Sequence, residues 1–374
     1  MSEPNLSPEP GVEITGKSIG ALMWLKFKRS PLAKVGLGIL IFLYVITFGS
    51  EFFAPYALYQ TFKEHENQPP TVPRFVDVEG RFHLRPFVYG YERHVDFQTF
   101  KVTWVLQPEQ RFPLYLFIRV GPEYRLGPLP VSTNLRLFGV REGYVFLFGT
   151  DFWGRDTLSR VLYGGRISMS IGLVGVAISL VLGIIIGTAS GYFAGAVDLI
   201  VQRVIEVLQS VPTLPLWILL AASLPKELNQ YQRYFAIVVV LSIIGWTGLA
   251  RSVRGMILAN REAQYILAAR NIGASTTRIM LLHLTPNIMS FLLVNVTLSI
   301  PNMIIGETSL SFLGLGIRPP MTSWGAMLKE AQNIQSMVNN PWYLIPGLFV
   351  IVAVLCFNFV GDGLRDAADP FSHR

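Results

Sequence analysis

Along most of this chain the apolar residues do not recur at a helical or strand period; they gather into runs. Six runs stand out: Val35 to Ala54, Ser168 to Gly191, Val207 to Leu224, Tyr234 to Ala250, Ile288 to Leu310 and Trp342 to Val360. Each approaches the ~20 residues that carry a helix across a hydrocarbon core at about 1.5 Å per residue. The pattern therefore predicts an all-α polytopic membrane protein with six transmembrane helices. The third run is the least regular, because Gln209, Pro212 and Pro215 interrupt it. Prolines persist in a span only where neighbouring groups satisfy the freed carbonyls.

Between the first and second runs, from Ala57 to Leu147, the pattern changes. "FVDVEGRFHL" reads as two short strands joined at Glu79 and Gly80, and "KVTWVLQ", "PLYLFIRV", "NLRLFGV" and "YVFLFGT" are further β-branched and aromatic runs set apart by Pro and Gly. The segment is too long for a simple connection and reads as a β-rich insert between helices 1 and 2. It serves either as a cap that meets a delivery protein or covers a pore mouth, or as an insertion that only braces the spans.

Composition agrees with the membrane reading: 51% of residues are hydrophobic, 15% are charged, and mean hydropathy is +0.43. Charge then sets the orientation. Lys26, Lys28, Arg29 and Lys34 precede the first run, which begins too late and runs too long for a cleaved signal peptide, so the N-terminus is expected in the cytoplasm. Six crossings return the C-terminus to the same side. The connection from Arg251 to Pro286, with five arginines against one carboxylate, falls on that side too. The insert is expected outside; its eleven Lys/Arg against nine Asp/Glu exclude a basic surface for nucleic acid. Cys356, the single cysteine, lies in the last run and reads as a small core residue without a disulfide partner.

"GVEITGKS", Gly11 to Ser18, matches the phosphate-loop template G-x-x-x-x-G-K-[ST]. That loop works only between a buried strand and a helix. Ten residues with three prolines precede it here, so it reads as a chance match in a polar tail.

The chemistry concentrates in "REAQYILAARNIGASTTRIMLLHLTPN", Arg261 to Asn287. Asn260 is placed to cap a short helix, Glu262 falls in its first turn, and Gly273 ends it. Tyr265, Ala268, Ala269 and Ile272, spaced i, i+3, i+4 and i+7, form one apolar stripe whose alanines suit close docking in a groove of another surface. The alternative is an amphipathic helix tucked against the bilayer. Ser275 is placed to cap a second helix that runs to Pro286.

The spacing Ala268-Ala269-x-x-x-Gly273, followed by Pro286, resembles the EAA loop of ABC-importer permeases, in the version of the peptide/nickel/oligosaccharide branch. "FGTDFWGRDTLSRVLYGGRISMSIG" (Phe148 to Gly172), "SFLGLGIRPPMTSWGAML" (Ser311 to Leu328) and "GDGLRDAADP" (Gly361 to Pro370) are similar to segments of the second, C-type permease of that branch. There are departures: the glutamate of the general pattern falls on Leu267, and positions usually Ile and Leu fall on His283 and Thr285, of which only Thr285 is unusual within the branch.

The resemblance implies a type I permease core over residues 148–361, with a first helix at 35–54, an extracytoplasmic insert at 55–147, a coupling loop at 251–286, and cytoplasmic tails at 1–34 and 362–374. It implies a multi-pass subunit of a bacterial-type cytoplasmic membrane that works by alternating access, with no catalytic residue, cofactor or metal of its own. Its partners would be a homologous permease, two ABC ATPase subunits and an extracytoplasmic solute-binding protein. Coupling to the ATPase would rest on Glu262, Ala263, Tyr265, Ala268, Ala269, Arg270, Ile272, Gly273, Ala274 and Pro286. Arg270 and Arg278 either pair with acidic groups there or only supply the charge bias. The solute would be a dipeptide or oligopeptide, with an oligosaccharide, a nickel chelate or another solute as the alternative.

Other positions carry two readings each. Glu307 is a pathway or gate residue, or a carboxylate hydrogen-bonded within the bundle. Asp198, Arg203 and Glu206 precede Pro212, and Arg203 with Glu206 fit an ion pair on one helix face. Asp151, Arg155 and Asp156 fit the fixing of a turn in a short surface segment, and Trp324 fits an interface anchor on an outer loop. A self-sufficient secondary transporter would need midplane ion sites and an internal repeat, and a membrane NTPase would need a strand ahead of Gly11; the sequence offers neither.

Overall fold

The computed structural model describes residues 19–96, 98, 102–125 and 132–368; the Gly11 to Ser18 match and the last residues of "GDGLRDAADP" lie outside them. The helices that build the bundle and the site include α1 (Ile19–Phe27), α2 (Pro31–Phe48), α3 (Thr157–Phe193), α4 (Gly195–Ser210), α5 (Thr213–Ala222), α6 (Gln230–Asn260), α7 (Gln264–Asn271), α8 (Met289–Phe312), α9 (Trp324–Leu328) and α10 (Ile345–Ala368). Among the described residues five helical stretches are long and apolar enough to cross a membrane: α2, α3, α6, α8, and Pro341–Ala368, which contains α10. The α4–α5 pair makes a sixth only if its two halves count as one span.

That pair departs from the expected straight run. α4 and α5 meet at a bend of 87°. Val211 is extended (φ −94, ψ 133) because the ring of Pro212 disfavours a helical conformation in the residue before it. The second span also begins earlier than its apolar run, at Thr157. Asp156 caps it there, Oδ2 accepting the Ser159 N–H at 2.7 Å.

α3, about 55 Å long at 1.5 Å per residue, pairs with α6. The contact is set by a glycine stripe. A Cβ on Gly183, Gly187 or Gly191 would lie 2.7, 2.6 and 2.7 Å from Leu249 Cδ2, Ala250 O and Arg254 O, so any side chain would force the helices apart. The main core surrounds this pair with α2, α8 and α10, through Leu40, Leu43, Met169, Ile300, Ile304 and Phe357. Cys356 is buried within it.

The insert holds an antiparallel sheet of β1 (Arg74–Val76), β2 (Phe82–Val95) and β3 (Val102–Pro113), and a hairpin of β4 (Tyr115–Arg125) and β5 (Ser132–Gly139). The β1–β2 turn is held by Asp77, whose Oδ1 accepts the N–H groups of Glu79 and Arg81 while Oδ2 accepts from His83 Nε2 at 2.9 Å and Arg111 Nη1 at 3.0 Å. The His83 hydrogen bond, then the backbone donors and the Arg111 charge, hold this carboxyl down at about 2. "YVFLFGT" is not a strand. Its backbone donors go to side chains, Val145 N–H to the Tyr56 hydroxyl and Phe146 N–H to Thr71 Oγ1 (both 2.9 Å), and Tyr144, Val145 and Phe146 fill a small core under the sheet.

The insert end of the α3–α6 pair is closed by ions and an indole. Arg160 Nη1 and Nη2 grip Glu330 at 2.9 and 2.8 Å, Arg160 Nη1 also donates to Asp151 Oδ2, and Arg155 joins Asp151 at 2.7 Å and Glu330 at 3.2 Å. Asp151 Oδ1 also accepts the N–H groups of Trp153 and Arg155, the turn its sequence suggested. Trp324 is not an interface anchor. It is fully buried, and its Nε1–H donates to Val161 O at 2.9 Å because α9 folds in between α3 and α8.

Candidate functional site

At the opposite end of the α3–α6 pair lies the stretch that carries the candidate coupling residues. α6 continues to Asn260, whose side chain donates back to Met256 O at 2.8 Å. Asn260 therefore closes one helix rather than capping the next. Arg261 and Glu262 form the turn, paired at 3.2 Å with Glu262 exposed, and Ala263 takes the N-cap place of α7 without a side-chain bond. Glu262 thus lies before the first turn of α7, not within it.

α7 has two faces. Ile266 is fully buried and Ala269 nearly so, while Tyr265, Ala268 and Ile272 are exposed, Ile272 by 86%. The expected stripe is therefore split: Ala269 turns inward with Ile266, which the periodicity had not included. The reason is a second hydrophobic cluster. Leu249, Val253 and Ile257 of α6, Ile279, Leu284 and Ile288 beyond α7, and Leu292 of α8 surround Ile266, with Leu180 and Ile184 of α3 packed against them. α7 is thus a short outward knuckle whose inner side is rooted in the two longest helices.

Its exit is shaped as the sequence indicated. Gly273 adopts φ +84, its N–H reaches Arg270 O at 3.0 Å, and Ala274 N–H returns to Ala269 O at 3.0 Å, closing the helix with a left-handed residue. Ser275 accepts the Arg278 N–H at 3.4 Å and starts the next helical stretch, residues 276–287. Over Ile279–Leu284 that stretch widens to i→i+5 bonds. Pro286 brings no N–H to the ladder, and Met280 O accepts both the Thr285 N–H and its Oγ1–H, the latter at 2.8 Å. The unusual Thr285 thus supplies a second donor to the widened turn.

Side-chain ties steady the knuckle. Arg270 lies over the Tyr192 ring at 5.6 Å and donates to its hydroxyl at 3.2 Å, and Asn287 Nδ2 donates to the Tyr265 hydroxyl at 3.3 Å. Nearby, Asp198 of α4 accepts from Ser190 Oγ at 2.6 Å and from both Nε and Nη2 of Arg254 on α6, while Arg203 and Glu206 pair at 2.7 Å on an exposed face. The glycine stripe, Ile266 and the Asp198–Arg254 tie were not singled out from sequence. Only the first had a readable signal, three glycines at i, i+4 and i+8.

Glu307 lies far from this knuckle. It is fully buried where α3, α8 and α9 meet, its Oε2 accepting from Ser168 Oγ at 3.0 Å and its Oε1 from Ser311 Oγ at 2.6 Å. Ser168 Oγ in turn accepts the Trp324 N–H at 3.1 Å. Among the described residues no group of three or more His, Cys, Asp or Glu is placed to hold a metal.

Residues 179–373, which contain the knuckle, its second cluster and Glu307, match the family described as binding-protein-dependent transport system inner membrane component. Residues 18–70 match the N-terminal TM domain of oligopeptide transport permease C. Among curated proteins, the chain is 43% identical over 230 residues to the oligopeptide transport system permease protein OppC of Haemophilus influenzae, covering 61% of this chain and 71% of that one. It is 41% identical over 224 residues to the OppC protein of Bacillus subtilis (60% and 71%), and 40% identical over 229 residues to the dipeptide transport system permease protein DppC of the same organism (61% and 69%). A match over more than half of the chain, together with an exposed knuckle seated on a bundle of membrane-length helices, places this protein in a family: it belongs to the inner membrane components of binding-protein-dependent transport systems.

Proposed function

We propose that this chain is the C-type permease of a peptide importer, pairing with a homologous permease, two ATP-hydrolysing subunits and an extracytoplasmic solute-binding protein. The chain itself is a non-catalytic membrane subunit. The observation that carries the reading is α7. Tyr265, Ala268 and Ile272 are exposed together on a short helix rooted by Ile266, a face that favours docking against a partner, and the same helix is tied to α3 and α6. Movement of a subunit seated on Tyr265, Ala268 and Ile272 then tilts the α3–α6 pair as a unit, which alternating access requires. The knuckle lies on the cytoplasmic side and the insert outside, as the five arginines between Arg251 and Pro286 favour. Glu262, Ala263, Arg270, Gly273, Ala274 and Pro286 shape and orient this docking helix.

Glu307 takes the bracing reading: it holds α3, α8 and α9 together at the point from which a gate would swing. Peptide cargo is supported by the similarity to oligopeptide and dipeptide transport permeases.

The test is the assembled transporter in liposomes. A single cysteine at Ile272, in a Cys356→Ser background, is expected to crosslink to the ATPase subunit, and uptake of a labelled oligopeptide is expected to require ATP. Crosslinks only to lipid or to this chain while import proceeds would overturn the docking assignment. ATP-driven uptake of a sugar or a metal chelate but of no peptide would overturn the cargo.

A further inference from the structure

At the insert end of the bundle a small cavity of about 110 Å³ opens between the start of α6 and the chain that follows α8. Lys226, Arg233 and Arg318 line it together with Gln230, Ile317 and Met321, and no carboxylate does. Arg233 is only 5% exposed, and its Nε–H donates to Gly316 O at 3.0 Å. No Asp or Glu among the described residues pairs with Arg233, Arg318 or Lys226; the charged groups that share the cavity lining with Arg233 are both cations, Arg318 and Lys226. Glu227, next to Lys226 in the chain, is exposed and outside the cavity lining.

A buried guanidinium is costly unless a counter-charge and hydrogen bonds accompany it. Arg160, buried to the same degree at the same end, has both, in Asp151 and Glu330. Arg233 has a carbonyl and a second cation. Its helix adds to the positive field, since α6 starts at Gln230 and directs its first N–H groups to this end. The cavity has room for one small planar anion with its apolar stem against Ile317 and Met321, and the guanidinium fork matches a carboxylate.

We propose that this cavity is a carboxylate-binding site that receives the free C-terminal carboxylate of a peptide entering the transporter. The inference rests on the proposed peptide cargo and adds to it a specific reading of one end of that cargo.

The experiment uses the complete transporter with its binding protein in liposomes, and compares uptake of a neutral tetrapeptide with uptake of the same tetrapeptide amidated at its C-terminus. Each is measured for the unsubstituted chain, for Arg318→Gln, whose exposed side chain leaves folding to other residues, and for Arg233→Gln. Because the binding protein is identical throughout, its own preference cancels. The acid-to-amide ratio of kcat/KM is expected to fall about tenfold in each variant, the scale of one lost charge-assisted hydrogen bond. An unchanged ratio, whether total uptake falls or not, would overturn the site and leave the peptide reading intact. If the unsubstituted transporter takes up neither peptide, the cargo reading fails and this inference fails with it. If the substitutions instead weaken docking of the unloaded binding protein without altering the ratio, the cavity receives an acidic side chain of that protein and the proposal is wrong.

Discussion

The two ends of the α3–α6 pair are held by opposite means. At the insert end, buried Asp151 and Arg160 and half-buried Arg155 and Glu330 form a charge-balanced cluster that joins a loop, the start of α3 and the segment after α9. At the other end the knuckle of α7 is held by Ile266 and Ala269 in an apolar cluster, with its remaining surface turned outward. Ionic contacts of defined geometry resist sliding, because a displaced guanidinium leaves an uncompensated charge in the interior. Apolar packing transmits a push yet tolerates small shifts. The difference suits a lever fixed at one end and worked from the other.

Breaking the fixed end has the largest expected effect. Arg160→Ala leaves Asp151 and Glu330 with Arg155 as their one shared guanidinium and is expected to cost about 3 kcal/mol, seen as a sharp fall in the thermal midpoint of the purified protein. A midpoint within 1 °C of the unsubstituted chain would mean that the cluster does not brace this end. Next comes the root of the working end. Ile266→Ala removes a fully buried side chain and is expected to cost about 3 kcal/mol, read by hydrogen exchange as local loosening of residues 264–288. ATP hydrolysis continues while uptake falls; loosening that spreads to the insert end would erase the contrast.

Gly273→Leu is smaller. A Cβ there meets nothing within 4 Å, so the cost is the left-handed backbone alone, about 1–2 kcal/mol. Uptake per ATP is expected to drop because α7 ends at a changed angle. Unaltered coupling would show that the angle is not transmitted. The last effect is a pH trend at the fixed end. Burial, opposed in part by the Ser159 hydrogen bonds, pushes the Asp156 carboxyl up to about 7. Between about pH 4 and 7 the folded chain keeps a proton that the unfolded chain has released, so this group makes stability fall as pH rises through that window. Asp156→Asn is expected to flatten the slope of thermal midpoint against pH by about 3 °C over pH 5–8; an unchanged slope would place the titration elsewhere.

Some of this was legible before folding and some was not. The runs that became α2, α3, α6, α8 and α10 announced themselves because a chain in hydrocarbon must satisfy its own N–H and C=O groups, which long apolar stretches can do only as helices. Gly273 was legible for a similarly local reason, since a left-handed turn selects glycine, and Asp151 because a short acidic side chain caps the turn that follows it. The inward side of α7 was misread, since Tyr265, Ala268, Ala269 and Ile272 share a period with either face.

By itself, then, the sequence determined the five long apolar helices, where α7 ends, and that four of the five β-rich runs of the insert form strands, because those outcomes depend on residues within a few positions of one another. Tertiary structure alone decided the burial of Trp324, the inward turn of Ile266, and the partners of Arg160 and Arg233. Each of these depends on what distant segments bring to the same place. Arg160 and Glu330 stand 170 residues apart in the chain, and periodicity describes a face without saying what will cover it.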